Sequence, residues 1–255
     1  MALNVEVSGS GPDLVLLHGW GMNAQVWNDT AAELARHFRV HCVDLPGYGA
    51  SSTCTPYTLG AIADALSVAL PRHASVCGWS LGGQVALAWA RRRSGQVDRL
   101  VLLATTPRFV RGEDWEHGMS ATDFSDFADG LARDSRATLR RFFGLQAHAD
   151  VNERAITRTL RQWLVAAGEY DGKALAAGLQ ILRDTDLRIE LAKIAQPVLI
   201  LHGGRDAITP LGAGEYLQRA LPHATLEIFS GAAHAPFLTR ARQVAQRIVE
   251  FHAKH

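Results

Sequence analysis

The chain has 255 residues, 47% of them hydrophobic, enough for one sizeable globular domain with an insertion. Its 26 Lys and Arg against 25 Asp and Glu leave a net charge of +1, so no global field points to nucleic acid. No apolar run approaches membrane-spanning length and no basic segment leads into an apolar stretch at the start, so neither a membrane partner nor a signal peptide is expected, and the cytoplasm is the expected location.

In chain order, Asn4–Val7, Leu14–Leu17, Arg39–Val43, Ser75–Gly78 and Arg99–Ala104 read as strands. Trp27–His37, Leu59–Leu70 and Leu81–Arg93 read as the helices between them. This alternation predicts an α/β fold with a mostly parallel, doubly wound sheet covered on both faces. The loop from Asp44 to Ser52 reads as a structural turn. Cys42 and Cys77 lie in apolar strand-like runs and are expected to be reduced core residues; with Cys54 they match no zinc or redox spacing. After Pro107 the pattern changes. From about Arg108 to Asp186 the segment is helix-rich and basic, without strand signal. Strands resume at Pro197 and Thr225. The expected organisation is a core formed by 1–107 and 187–255, with 108–186 inserted as a helical lid.

Gly78-Trp79-Ser80-Leu81-Gly82 carries the strongest chemical signal. It follows a short apolar run and opens a helix-like segment, the strand–turn–helix context of a nucleophile elbow with Ser80 at its apex. A serine hydroxyl needs a base to take its proton and a third group to orient that base. Pro197–Leu201 reads as a buried strand running into Gly203-Gly204, and Asp206 follows on the next loop. Thr225–Phe229 reads as a strand leading to His234. Acid and imidazole would therefore sit on loops at the same sheet edge as Ser80. Asp184 and Asp186 are weaker candidates because no strand precedes them. His18 and His202, also at strand ends, are expected to shape loops. No His pair has metal-site spacing, and neither metal nor cofactor is expected.

Hydrolysis through Ser80 requires two N–H donors for the oxyanion. One is expected from Leu81, which follows the nucleophile at a helix N-terminus. The other is expected from the backbone of Trp20, in His18-Gly19-Trp20-Gly21, with its indole as a candidate wall of the acyl pocket.

Within the expected lid, Arg133, Arg136 and Arg140 are spaced to share one helix face, as are Arg154, Arg158 and Arg161; Arg141 lies beside the first set. These are either a solvated surface or a docking patch for an acidic partner or phosphorylated arm. Phe142, Phe143, Leu145 and Gln146 follow directly. They either line a substrate channel or pack the lid against the core.

Taken together, His18-Gly19-Trp20-Gly21, Asp44-Leu45-Pro46-Gly47-Tyr48-Gly49, Gly78-Trp79-Ser80-Leu81-Gly82-Gly83 and Ala233-His234-Ala235-Pro236-Phe237 resemble the α/β-hydrolase carboxylesterases of biotin synthesis, the pimeloyl-[acyl-carrier protein] methyl ester esterases. The resemblance spans essentially the whole chain, including Leu139–Gln146 and Gly178–Arg188. It implies an α/β-hydrolase fold with Ser80 as nucleophile, His234 as base and Asp206 as orienter. It implies substrate contacts from Trp20, Ser80, Leu81, His234 and the stretch Phe142, Phe143, Gly144, Leu145 and Gln146. It implies an acyl-carrier protein as partner, docked on Arg141, Arg154 and Arg158. A fourth family arginine falls near Ala137, where Arg136 or Arg140 would substitute. A monomer is expected. A general short-chain carboxylesterase, a carbon–carbon bond hydrolase with the same triad, and a non-catalytic binding protein on this fold are the competing readings.

Overall fold

A computed structural model describes residues 2–166 and 171–255. Seven strands form one sheet: β1 (Val5–Ser8), β2 (Asp13–Leu17), β3 (Arg39–Val43), β4 (Ala74–Trp79), β5 (Val97–Leu103), β6 (Val198–Gly203) and β7 (Ala224–Phe229). Their order is β1-β3-β2-β4-β5-β6-β7. Among the described residues of this sheet, only the β1–β3 pairing is antiparallel. The central strands β4 and β6 are buried at every residue, as strands covered on both faces must be. The edge strand β7 has exposed positions instead.

Outside the segment between β5 and β6, the helices are α1 (Asn28–Leu34), α2 (Leu59–Ala69), α3 (Leu81–Arg92), α8 (Leu211–Ala220) and α9 (Ala241–Lys254). α1 packs with α9, and α2 with α3. α3 is buried from Leu81 to Ala90, which makes it the central helix of its layer. The expected helix Trp27–His37 is instead a 3₁₀ turn, Ala24–Trp27, continuing into the short α1. Two side chains set that start. Asp44 Oδ1 accepts the Ala24 N–H at 2.7 Å, and Asn23 Oδ1 accepts the Gln25 N–H at 3.1 Å.

Between β5 and β6 lie α4 (Ala121–Arg133), α5 (Ser135–Ala147), α6 (Glu153–Ala166) and α7 (Gly172–Asp184). α4 packs on α5 and α7, and α5 on α6. The sequence showed no strand signal here, yet short bridges occur, among them Arg108 with Asp186, which brings the two ends of the segment together. Arg188 reinforces that neck by reaching Asp114 and Asp186, both at 2.6 Å. Arg133 does not share a helix with Arg136 and Arg140. α4 ends at Arg133, and the Asp134 carboxylate caps α5 by accepting the Ala137 N–H at 2.9 Å.

Parallel register brings the C-terminal ends of β2, β4, β5, β6 and β7 to one edge. Leu17 pairs with Gly78, Trp79 with Leu103, Leu103 with Leu201, and Gly203 with Phe229. The loops leaving that edge carry His18–Trp20, Ser80, Asp206 and His234.

Candidate active site

Ser80 sits between the last residue of β4 and the first of α3, with φ 54° and ψ −117°. A non-glycine residue at such a φ is held there by its surroundings. Ser80 N–H donates to Leu103 O at 3.0 Å, and Ser80 O accepts from Gly83 N–H at 2.9 Å. A Cβ at Gly78 would run into the Gly82 carbonyl, and one at Gly82 into the carbonyls of Leu17 and His18. The turn therefore closes only with glycine on both sides. Leu81 is the first residue of α3, so its N–H has no acceptor within the helix.

The loop after β2 crosses beside this turn. A Cβ on Gly19 would lie 3.3 Å from Ser80 Cβ. His18 fixes the loop's shape. Its Nε2 accepts the Leu45 N–H at 2.9 Å, which leaves the proton on Nδ1, and Nδ1 donates to Gly19 O at 2.8 Å. Met22 N–H donates to the same carbonyl at 3.3 Å. The Gly19–Trp20 peptide is trans, so the Trp20 N–H faces opposite to that occupied carbonyl. Burial pulls the His18 pKa down to about 4, against the raising effects of Gly19 O and Asp44.

Asp206 and His234 are in contact. His234 Nδ1 donates to Asp206 Oδ2 at 2.8 Å, and both side chains are fully buried. Asp206 Oδ1 accepts the N–H groups of Ile208 and Thr209, both at 2.9 Å, and Oδ2 accepts the Thr209 hydroxyl at 2.7 Å. Burial alone would raise this carboxyl's pKa. The His234 charge and hydrogen bond, then His202 and the Thr209 N–H, hold it below the usual carboxylate range. His202 donates through Nε2 to Thr209 O at 2.7 Å, and burial lowers the pKa of this imidazole against the pull of Asp206.

His234 Nε2 is buried and has no hydrogen-bond partner, so the Ser80–His234 hydrogen bond is not formed. Such bonds commonly tighten only with substrate bound. The two residues are joined indirectly: Trp79 Nε1 donates to His234 O at 2.9 Å.

Trp20 is buried, its Nε1 donating to Leu175 O at 2.9 Å, with its ring edge-on to Phe127 and Phe142 at centroid distances of 5.3 and 5.2 Å. Phe142 and Phe143 are buried, and Gly144 and Leu145 half-buried. Gln146 is buried and its carbonyl accepts the His234 N–H at 3.2 Å, while its Oε1 has no partner. The stretch thus packs on the core at Trp20 and also meets the His234 loop. Arg136, Arg140 and Arg141 on α5, and Arg154 and Arg158 on α6, are exposed. The rival acids are surface groups: Asp184 pairs with Arg183 at 2.9 Å and Asp186 with Arg188. Asp44 serves its own turn, accepting from Ala24, Ala50 and Asn4. Cys42 and Cys77 are buried thiols; burial raises the Cys42 pKa to about 12. Among the described residues no group of three His, Cys, Asp or Glu side chains could hold a metal ion. None of their helices is long and apolar enough to cross a membrane.

Sequence reasoning missed two threonines. Thr209 holds the Asp206 carboxylate by hydroxyl and N–H, and the spacing Asp-x-x-Thr was the available signal. Thr105 lies under the elbow with Oγ1 3.3 Å from Ser80 O, a contact without local signature.

A strained serine at a strand–helix turn, with a buried imidazole–carboxylate pair on neighbouring loops, is the arrangement of a serine hydrolase on a parallel sheet. The chain belongs to the alpha/beta hydrolase fold family, whose model matches residues 12–241. It is 43% identical over 242 residues to a pimeloyl-[acyl-carrier protein] methyl ester esterase of Nitrosomonas europaea, covering 95% of this chain and 96% of the relative. A protein of the same name from Aromatoleum aromaticum is 46% identical over 239 residues, covering 92% and 95%. In fold, the chain superposes on an esterase from Exiguobacterium antarcticum with a TM-score of 0.88 at 24% identity, covering 98% of this chain and 94% of that one.

Proposed function

We propose that this protein is a serine carboxylesterase that hydrolyses the methyl ester of pimeloyl-[acyl-carrier protein], releasing methanol and the carrier-bound free acid for biotin synthesis. The observation that carries the reading is the buried Asp206–His234 pair beside the Ser80 elbow, in a chain similar over nearly its whole length to esterases of that name.

Ser80 Oγ attacks the ester carbonyl while His234 Nε2 takes its proton. Asp206 holds the ring with its proton on Nδ1 and stabilises the imidazolium that forms. The N–H groups of Leu81 and Trp20 receive the negative oxygen, each such donor contributing roughly 3 kcal/mol to transition-state stabilisation. Collapse expels methoxide, which His234 protonates to methanol, and leaves the acyl chain on Ser80. Water then attacks the acyl-enzyme, giving its proton to His234, which returns it to Ser80 Oγ as the carboxylate leaves.

Segment 108–186 acts as a lid over this site, with Trp20, Phe142, Phe143, Gly144, Leu145 and Gln146 along the acyl chain. The substrate also contains a thioester to its carrier, and that bond must survive. The exposed Arg136, Arg140, Arg141, Arg154 and Arg158 dock the acidic carrier, so that docking sets the reach and delivers the distal methyl ester to Ser80. The protein works as a monomer in the cytoplasm.

The test is methanol release from the carrier-bound methyl ester, with Ser80→Ala as control. The reading expects methanol and free carboxylate in equal amounts, an intact thioester and no turnover by Ser80→Ala. Thioester cleavage, or hydrolysis of free esters only, would contradict it.

A further inference from the structure

The turn joining α5 to α6 is clasped to the loop that carries His234. Val151 N–H donates to Gly231 O at 3.0 Å, and His234 N–H donates to Gln146 O at 3.2 Å. Between these two backbone bonds lies Asp150, whose side chain is fully buried. Asp150 Oδ2 accepts the Ala233 N–H at 2.8 Å, and Oδ1 accepts the Asn152 N–H at 2.7 Å. Arg240, just past the His234 loop, brings its guanidinium to 3.5 Å from Oδ2. The same turn also touches the acid loop, because Arg205 Nη1 donates to Ala149 O at 3.3 Å.

This turn is held in a conformation it would not adopt alone. Ala149 has φ 66°, the left-handed region that a Cβ disfavours. Its N–H is met by the Glu153 carboxylate at 3.2 Å. Strain of this kind persists where surrounding contacts over-determine it, and here two of those contacts end on the amides flanking the Ala233 Cα, the residue before His234. A buried carboxylate is costly unless hydrogen-bonded and paired, so an apolar residue would serve simple packing better. Neither Asp150 nor Arg240 touches the reacting atoms; both act on the backbone that aims the imidazole.

We propose that Asp150, paired with Arg240, is a positioning residue for the base: it fixes the Ala233–His234 backbone and so sets the aim of His234 Nε2. The proposal rests on the assignment of His234 as the base for Ser80. It makes the α5–α6 turn part of the catalytic alignment, with one consequence for substrates. Loss of Asp150 should slow every ester alike, whereas loss of a docking arginine should slow carrier-bound esters selectively.

The experiment is pre-steady-state hydrolysis of a p-nitrophenyl ester by the full chain, comparing wild type, Asp150→Asn, Asp150→Ala and Arg240→Ala. Burst amplitude counts the active sites, and the burst rate constant reports acylation per active site. A purely structural role would lower the amplitude and leave the rate constant alone. The expected result is an acylation rate constant lowered roughly tenfold to a hundredfold in Asp150→Ala, with the ester's dissociation constant, read from the concentration dependence of the burst, nearly unchanged. Asp150→Asn, which keeps an acceptor for the Ala233 N–H, should recover much of that loss, and Arg240→Ala should fall between. If Asp150→Ala does not fold, the Asn and Arg240→Ala enzymes carry the comparison. Wild-type rate constants per active site in the folded variants would overturn the positioning role alone. A wild type that shows no Ser80-dependent hydrolysis of the ester would overturn the esterase reading and this proposal with it.

Discussion

Trp79 Nε1 donates to the His234 carbonyl at 2.9 Å, tying the residue before Ser80 to the His234 loop. The indole is fully buried, edge-on to Phe237 at 5.0 Å and tilted against the His234 ring at 5.6 Å. Strand β4 thus leads directly into Ser80 and supplies one anchor of the His234 loop. In Trp79→Phe that anchor is lost and the carbonyl is left buried without its donor. Unfolding measurements should show a loss of about 1–3 kcal/mol. Acylation per active site should fall several-fold, because the loop is less tightly aimed. An unchanged rate would show that the anchor has no bearing on alignment.

The carboxylate of Asp206 has four donors, and only one of them is His234. Asp206→Asn would let the ring take the wrong tautomer, with a loss in kcat of roughly 10⁴-fold. Thr209→Val removes the hydroxyl but keeps the N–H bond, so a far smaller loss is expected. Steady-state kinetics on a p-nitrophenyl ester ranks the two, and an equal loss would contradict the division of roles.

Acid should destabilise the fold in two separate windows. The His18 pKa is about 4 in the folded protein against 6.5 unfolded, so the unfolded state binds the extra proton between those values. Stability from this group is complete above about pH 6.5 and falls as pH drops to about 4, by about 3 kcal/mol in all. His202, also lowered by burial, adds to the same decline. Asp206, lowered from 3.8, contributes stability that is present above that value and is lost only as pH falls through its folded value. Denaturant titrations from pH 7 to pH 4 should therefore show a slope that shrinks in His18→Gln. A slope identical to wild type would show that His18 does not set it.

Replacing Arg154 and Arg158 with Glu should raise KM for the carrier-bound ester by roughly tenfold and leave a small free ester unaffected. High salt should weaken the wild type on the carrier-bound ester in the same selective way. Equal effects on both substrates would remove the docking role.

Much of this was legible because the signals are local. Ser80 stands out through glycines that answer steric demands within five residues. Asp206 and His234 stand out because each follows an apolar strand, and parallel strands end at one edge. The alternation of strands and helices likewise exposed the sheet. What stayed hidden depends on contacts between distant positions. The Trp79–His234 and Asp150–Ala233 bonds join residues 155 and 83 apart, and nothing near Trp79 or Asp150 announces them. Arginine spacing suggested one face for Arg133, Arg136 and Arg140. Asp134 interrupts it by capping a new helix, a role that depends on one side-chain rotamer.

In the proposed mechanism the acyl chain passes through Ser80 as a covalent ester. Mass spectrometry of enzyme quenched during turnover of the carrier-bound methyl ester tests it directly. An acyl adduct on the Ser80 peptide should form as methanol appears, decay to free acid, and be absent from Ser80→Ala. Methanol released without any adduct, or released at an undiminished rate by Ser80→Ala, would contradict it.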